Sequence, residues 1–345
     1  MDKITLCPSN WLYNAGVVGF LRVLEKLGKT VEEFLKNNGS VEIIKNDNLI
    51  PEDIFRLWDE MTKGKKGYNW GGQKGYYANQ TEGSIKKKIE NLIKGYSAKS
   101  KKAIKMGCFF CGKIISITKS KASYYTQAYG NILISSEKTF RNSYWNFNSK
   151  DFVCPQCEFI IMCHHLALTE LSDGSEIFIN APSFKLMWYL NKYSSIYKAE
   201  GIKHLKEILG MRLIEMASKF YIQLGRWEKM NIEIVSKYGN KIDFFSLPAE
   251  IVNLLTKKEI ACLLIQIGEF KILNMVLDGK FKDILSFAEK IMRIALKKSD
   301  KRTKNEKDFI EDIKLDRNKQ NLTEFSQKLF KLYALIEREI KKEMI

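Results

Sequence analysis

Two cysteine pairs constrain this chain more than anything else in it: Cys108 and Cys111 in MGCFFCGK, and Cys154 and Cys157 in FVCPQC, with 42 residues between the pairs. In a C-x2-C turn two thiolates reach one metal ion from a single tight bend. Two such turns complete a tetrahedral four-sulfur shell, which zinc accepts without ligand-field cost. Gly112 supplies the unrestricted backbone that a knuckle turn needs, and Pro155 stiffens the other turn. The gap exceeds the usual ribbon spacing of about 15 to 20 residues, which predicts an inserted β-hairpin between the knuckles. Four thiolates overcompensate a divalent cation, and Lys105 and Lys113 stand close enough in sequence to offset the excess.

The chain has seven cysteines, an odd number with four in close pairs, which fits a reducing compartment and a metal better than a disulfide framework. A redox dithiol would want one such motif opening a helix, and a catalytic metal would want an open coordination position. One structural Zn2+ is therefore expected. Cys163, His164 and His165 follow the second pair and offer substitutes for one thiol; the alternative is that Cys163, like Cys7 and Cys262, is a core residue.

Charge narrows the partners. A formal net charge of +17 and a pI near 9.3 attract polyanions, nucleic acid first and an acidic membrane surface second. The longest apolar run, Trp11 to Leu24, is interrupted by Asn14 and Arg22 and is too short to span a bilayer. No signal peptide is visible at the N-terminus, so no membrane partner and a cytoplasmic location are expected. Residues 62 to 105 hold twelve lysines against two glutamates, interleaved with seven glycines, aromatic rings and amides. Lysines neutralise phosphates, rings stack on bases, and glycines let a backbone approach closely. The candidate nucleic-acid contacts are Lys63, Lys65, Lys66, Tyr68, Asn69, Trp70, Gln73, Lys74, Tyr76, Tyr77, Lys86, Lys87 and Lys88, on the premise that the rings are exposed on a mobile loop. The bland alternative is a solvated lysine-rich surface.

Along the chain, residues 10–27 read as a helix buried on most sides, with Gly16 and Gly19 permitting close approach of another backbone. VEIIK at 41–45 reads as a strand and PEDIFRLWDEM as a helix start. The glycine-rich stretch up to Gly83 is a long loop, followed by a short basic helix in SIKKKIENLIKGY. IISIT, NILIS, FIIMC and EIFIN are β-like, and from about residue 200 the pattern turns helical to the C-terminus, with 297–320 a solvated linker or exposed helix. The fold class is α+β: a mixed N-terminal region (1–105), an inserted zinc-knuckle β subdomain (106–200), and a mostly α-helical C-terminal region (201–345).

Signs of catalysis are thin, and the chain is expected not to be an enzyme. The three histidines, His164, His165 and His204, show no H-E-x-x-H spacing, and there is no Walker A motif or G-x-G-x-x-G. Glu170, Asp173 and Glu176 cluster, but an Asp-Gly turn before EIFIN explains them. A free-standing zinc-ribbon nuclease or RNA-modifying enzyme using Glu170, Asp173 and His164 is the alternative, and an adaptor binding only proteins is a third reading.

NWLYNAGVVGFLRVLE at the N-terminus, with CFFCGK and CPQC about 100 and 150 residues on, resembles the CRISPR-associated CXXC-CXXC family, large subunits of type I-B Cascade effectors of the Cas eight type. The resemblance implies a non-enzymatic subunit at the end of the complex that holds the guide RNA 5′ handle. It would sit with Cas five-type and Cas seven-type subunits, inspect target double-stranded DNA beside the adjacent motif, and recruit the helicase-nuclease. It also implies that Cys108, Cys111, Cys154 and Cys157 are zinc ligands.

Overall fold

The computed structural model describes residues 3–44, 49–96, 102–130, 151–171, 174–192, 205–219, 232–238, 241–312 and 321–343. The chain divides into two compact units, Met1–Lys198 with Val235–Asp243, and Ala199–Ile234 with Phe244–Ile345.

In the first unit, β1 (Lys3–Leu6) leads to α1 (Trp11–Lys26), α2 (Val31–Phe34) and β2 (Val41–Ile44), with β1 and β2 antiparallel. The Asn10 side chain caps α1 by accepting the Tyr13 N–H at 3.0 Å, and the helix is buried along most of its length, as its composition requires. Then come α3 (Pro51–Lys63), opened by Pro51 with Glu52 and Asp53 in its first turn, and α4 (Glu82–Lys94), opened by a Thr81–Ser84 capping box. Next are β3 (Ile104–Gly107), β4 (Ile114–Ile117), β5 (Ser123–Tyr124), β6 (Phe152–Val153), α5 (Pro155–Met162), α6 (His164–Ala167), β7 (Thr169–Glu170), β8 (Glu176–Asn180) and α7 (Phe184–Lys192).

The small-residue stripe of α1 is used as its spacing predicts. Gly16 and Gly19 share one helix face, and a Cβ built on them would stand 2.3 Å from the Ile160 carbonyl oxygen and 1.9 Å from that of Cys163. The backbone of α5 and its continuation thus lies directly on α1. Asn14, buried beside these glycines, donates to Ser9 O and Asn180 Oδ1, both at 2.8 Å, and accepts the Ser9 N–H at 2.8 Å. Arg22, half-buried on the same helix, donates to Leu166 O at 2.6 Å and Asn191 O at 2.8 Å, closing carbonyls at the ends of α6 and α7.

In the second unit, α8 (Leu205–Lys219) packs with α9 (Ala249–Thr256), α10 (Lys258–Ile267) and α11 (Phe270–Leu277). There α12 (Phe281–Ala295) lies along α14 (Leu322–Glu343), with Ser326 donating to the Ala288 carbonyl at 2.8 Å inside the seam, and α13 (Lys304–Asp312) falls in the charged 297–320 stretch.

The chain is α+β, with the cysteine segment in its middle and a mostly helical C-terminal part, but two segments depart from expectation. FIIMC is helical rather than β-like, because it lies within α5 and its C-cap, buried on every side, so its apolar run carries no period that separates helix from strand. The region after residue 200 also contains a hairpin, β9 (Ile232–Tyr238) and β10 (Lys241–Leu247), which extends the sheet in the order β10-β9-β8-β7. NILIS, Asp173 and His204 lie outside the described residues.

Candidate metal centre

The first knuckle grows from β3 and β4, paired antiparallel from Ile104↔Ile117 to Gly107↔Ile114. At its tip the Cys108 N–H donates to Lys113 O at 3.0 Å and the Gly112 N–H donates to Cys108 O at 2.9 Å. Gly112 has φ of 68°, in the left-handed region where a side chain would be strained. The second knuckle is not a hairpin. Cys154 occupies the N-cap position of α5, Pro155 the first helical position, and the Cys157 N–H donates to Cys154 O at 2.9 Å. Cys157 therefore sits in the first turn of a helix, at the positive end of its dipole.

Two hydrogen bonds knit the knuckles together: Phe109 N–H to Phe152 O at 2.9 Å and Cys154 N–H to Cys108 Sγ at 3.3 Å. All four sulfurs lie within 4.8 Å of one another, and the Cys111 and Cys154 sulfurs are 3.7 Å apart. Cys108, Cys154 and Cys157 are buried and Cys111 is half-buried. Among the described residues this is the single grouping of histidine, cysteine or carboxylate able to hold a metal. Cys163, whose thiol burial pushes up, stays outside it, as do His164 and His165. Cys7 is exposed rather than a core residue, and Cys262 is half-buried.

Four thiols this close cannot all ionise without a cation. Hydrogen bonds from Cys111, Cys154 and Cys157 hold the Cys108 thiol far below its ordinary value, whereas hydrogen bonding to Cys108 and then Cys111 pushes Cys154 and Cys157 up. A divalent metal resolves that frustration by replacing the shared protons. The Tyr13 hydroxyl on α1 is buried with no hydrogen-bond partner among the described residues, and after desolvation the four cysteines, Cys157 first, are what raise its pKa. A hydroxyl left free beside a sulfur cluster is a donor in search of thiolate charge. The donor set is compatible with zinc. The Lys113 ammonium donates to Thr5 O at 2.7 Å.

The basic loop is placed differently from its sequence reading. Tyr68 and Tyr77 are buried and Tyr76 and Trp70 half-buried, so the premise of exposed rings fails. Tyr77 Oη lies 2.8 Å from Met162 O and 2.5 Å from His165 Nδ1, while Thr62 Oγ1 lies 3.0 Å from His165 Nε2. Donation by Tyr77 to the carbonyl makes His165 Nδ1 the protonated nitrogen. His164 Nδ1 faces Ile161 O at 2.6 Å, so its Nε2 accepts from Tyr76 Oη at 2.7 Å. Tyr68 donates to Glu176, which also pairs with Lys237 of β9 at 3.0 Å. Trp70 Nε1 donates to Asp59 at 2.8 Å. Burial first, then the positive charges of Lys237 and Lys65, lowers His164 to about 3; burial first, then His164 and Lys65, holds His165 well below its ordinary value. Both histidines, including the His164 considered for the enzyme alternative, are fully buried.

The lysines divide. Lys65 donates to His165 O and Leu168 O, both at 2.6 Å, and burial lowers it to about 8, so it closes carbonyls at the end of α6. Lys88 bonds Gln80 Oε1 at 3.1 Å, Lys86 pairs with Glu82 at 2.7 Å, and Lys63 with Asp59 at 2.6 Å. Lys66, Lys74, Lys87, Gln73 and Asn69 are exposed, although Asn69 Oδ1 accepts the Tyr76 N–H at 2.8 Å. The tyrosine–histidine network went unseen in the sequence; the adjacent His164–His165 pair was its sole trace.

No helix among the described residues is long and apolar enough to cross a membrane. Residues 101–169, which contain all four knuckle cysteines, match the family model described as CRISPR-associated protein (Cas_CXXC_CXXC). No curated protein and no solved structure matches the chain.

Proposed function

With the cysteine segment matching a CRISPR-associated family, we propose that this chain is the non-catalytic large subunit of a type I CRISPR interference complex, of the type I-B Cascade kind. In this reading it is a cytoplasmic protein that binds the guide RNA handle and target double-stranded DNA next to the adjacent motif. It assembles with Cas five-type and Cas seven-type subunits and receives the helicase-nuclease. The observation that carries the reading is the match over residues 101–169, centred on a four-sulfur cluster. The net charge of +17 supports a polyanionic partner.

Zinc is the metal proposed for Cys108, Cys111, Cys154 and Cys157. When bound it supplies a closed cross-link and no open coordination position. The chain's own residues do the rest. The two knuckles hold the sulfurs, Cys154 N–H and Tyr13 Oη face sulfur charge, and α1 lies against the helix that begins at the second knuckle. Co-expression with guide RNA and with Cas five-type and Cas seven-type subunits tests the reading: the chain should co-purify with RNA in a defined stoichiometry. Isolation free of RNA and of both subunits, or metal-dependent nucleic-acid turnover by the chain alone, would refute it.

A further inference from the structure

We infer that the solvent face of the β3–β4 hairpin and its knuckle tip form a single-stranded nucleic-acid surface, with Phe109 and Ile114 meeting unpaired bases and Lys105 meeting phosphate. This rests on the nucleic-acid reading above and moves the contact from the basic loop to the knuckle.

The register sorts the hairpin into two faces. Ile104 with Ile117 and Met106 with Ile115 lie on one side, and Lys105 with Ser116 and Gly107 with Ile114 on the other. On the first side Ile117 is buried and Met106 and Ile115 are half-buried; on the second all four residues are exposed, with Ile114 at 74%. Phe109, at the tip, is 41% exposed. Opposite Ile114, a Cβ on Gly107 would meet nothing within 4 Å, so the strip beside the isoleucine is open. Phe109 is held in place: its N–H is bonded to Phe152 O, and its ring stands edge-to-face on Phe110 at 5.2 Å, which itself packs on Tyr125 at 5.5 Å. A ring fixed in its exposed position loses little entropy on binding.

Charge selects the occupant. Between Lys101 and Gly130 the sequence has six lysines and no carboxylate, and Lys105, Lys119 and Lys121 are exposed. Protein interfaces are depleted in lysine at their cores, whereas an apolar strip on a segment with Lys105, Lys119 and Lys121 exposed fits a polyphosphate that carries planar bases. Groove reading of a duplex uses arginine, asparagine or glutamine, and the exposed face offers none of these. Stacking on unpaired bases needs only the ring and the aliphatic chain.

Fluorescence anisotropy of the full-length, metal-loaded chain with a mixed-sequence oligonucleotide of about 20 nucleotides, single-stranded and as a duplex, tests this. Phe109→Ala with Ile114→Ala should weaken single-strand binding by about tenfold or more and duplex binding by less than about twofold, at unchanged metal content. If the wild-type chain binds and the double variant matches it on single strands, or loses duplex equally, the inference falls while the proposed function stands. A wild-type chain that binds neither probe, even within the assembled complex, removes both. Should the double variant lose its metal, Ile114→Ser and ultraviolet cross-linking of the wild type decide. Cross-links within residues 105–116 support the surface, and cross-links confined to residues 62–96 overturn it.

Discussion

The glycine-rich loop at 64–80 and the β3–β4 knuckle hairpin are both basic and aromatic, yet the chain folds the first inward and presents the second outward. In the loop each tyrosine hydroxyl has a partner built for it: Glu176 for Tyr68, His164 for Tyr76, and Met162 O with His165 for Tyr77. At the knuckle, Phe109 and Ile114 have no hydroxyl to satisfy and stay exposed, at 41% and 74%. Composition therefore states how much charge and ring area a segment carries, and the polar groups beneath it decide which way the rings turn.

The largest expected effect falls on what makes the outward region rigid. Cys154→Ser removes one of four sulfurs while leaving a good N-cap residue at the start of α5, so metal content should fall from about one per chain to near zero by elemental analysis. The melting temperature should drop by about 10 °C or more. Chelation of the wild type should reproduce both changes. Retention of full metal and stability would mean that the cluster is not a metal centre and that the knuckle stands by packing alone.

Next comes the seam that ties the N-terminal helix to the second knuckle. Gly19→Ala would put a Cβ 1.9 Å from the Cys163 carbonyl, so α1 must back away, at a cost of about 3 kcal/mol in a denaturant titration. Gly112→Ala offers the contrast: nothing crowds its Cβ, so only the φ of 68° is penalised, about 1 kcal/mol. Equal costs at the two sites would show that the packing of α1 on α5 is looser than the structure describes.

This seam was legible in the sequence, as was the cluster. Gly16 and Gly19 in an otherwise apolar helix have no use except close approach, and two C-x2-C turns have few uses other than a metal. The helix α5 was not legible, because total burial makes every position apolar and erases the period. Between β9 and β10 the sequence does carry a Gly-Asn turn signal at residues 239 and 240, but the helical faces on either side outweighed it. The inward turn of the loop had no local signal, since the partners of Tyr76 and Tyr77 lie 88 and 85–88 residues away in sequence.

A smaller effect tests whether the inward network is neutral. The folded pKa of His164 is depressed to about 3 against an ordinary value near 6.5, so below pH 6.5 the unfolded chain takes up a proton that the folded chain refuses. The stability contributed by neutral His164 is complete above pH 6.5 and is lost as pH falls toward 3, on the order of 2 kcal/mol by pH 5; His165 acts with the same sign. Loss of metal at low pH also destabilises, so the separating measurement is nitrogen-15 NMR. At pH 5.5 two of the three histidines should remain neutral with the proton on Nδ1, and a protonated His164 would break the assignment.

The smallest expected effect sharpens the division within the loop's lysines. Lys66 and Lys74 are exposed, so replacing both with alanine should change stability by less than about 0.5 kcal/mol. If either meets a phosphate, the slope of log affinity against log salt should shrink by about one per lysine. Lys65→Ala should behave in the opposite way. It leaves Leu168 O without the Lys65 ammonium and His165 O with the Leu168 N–H at 3.3 Å, costing about 1–3 kcal/mol while the salt slope stays fixed, because an ammonium that closes carbonyls releases no counterion. A salt slope that responds to Lys65 but not to Lys66 and Lys74 would reverse the assignment of which lysines face inward.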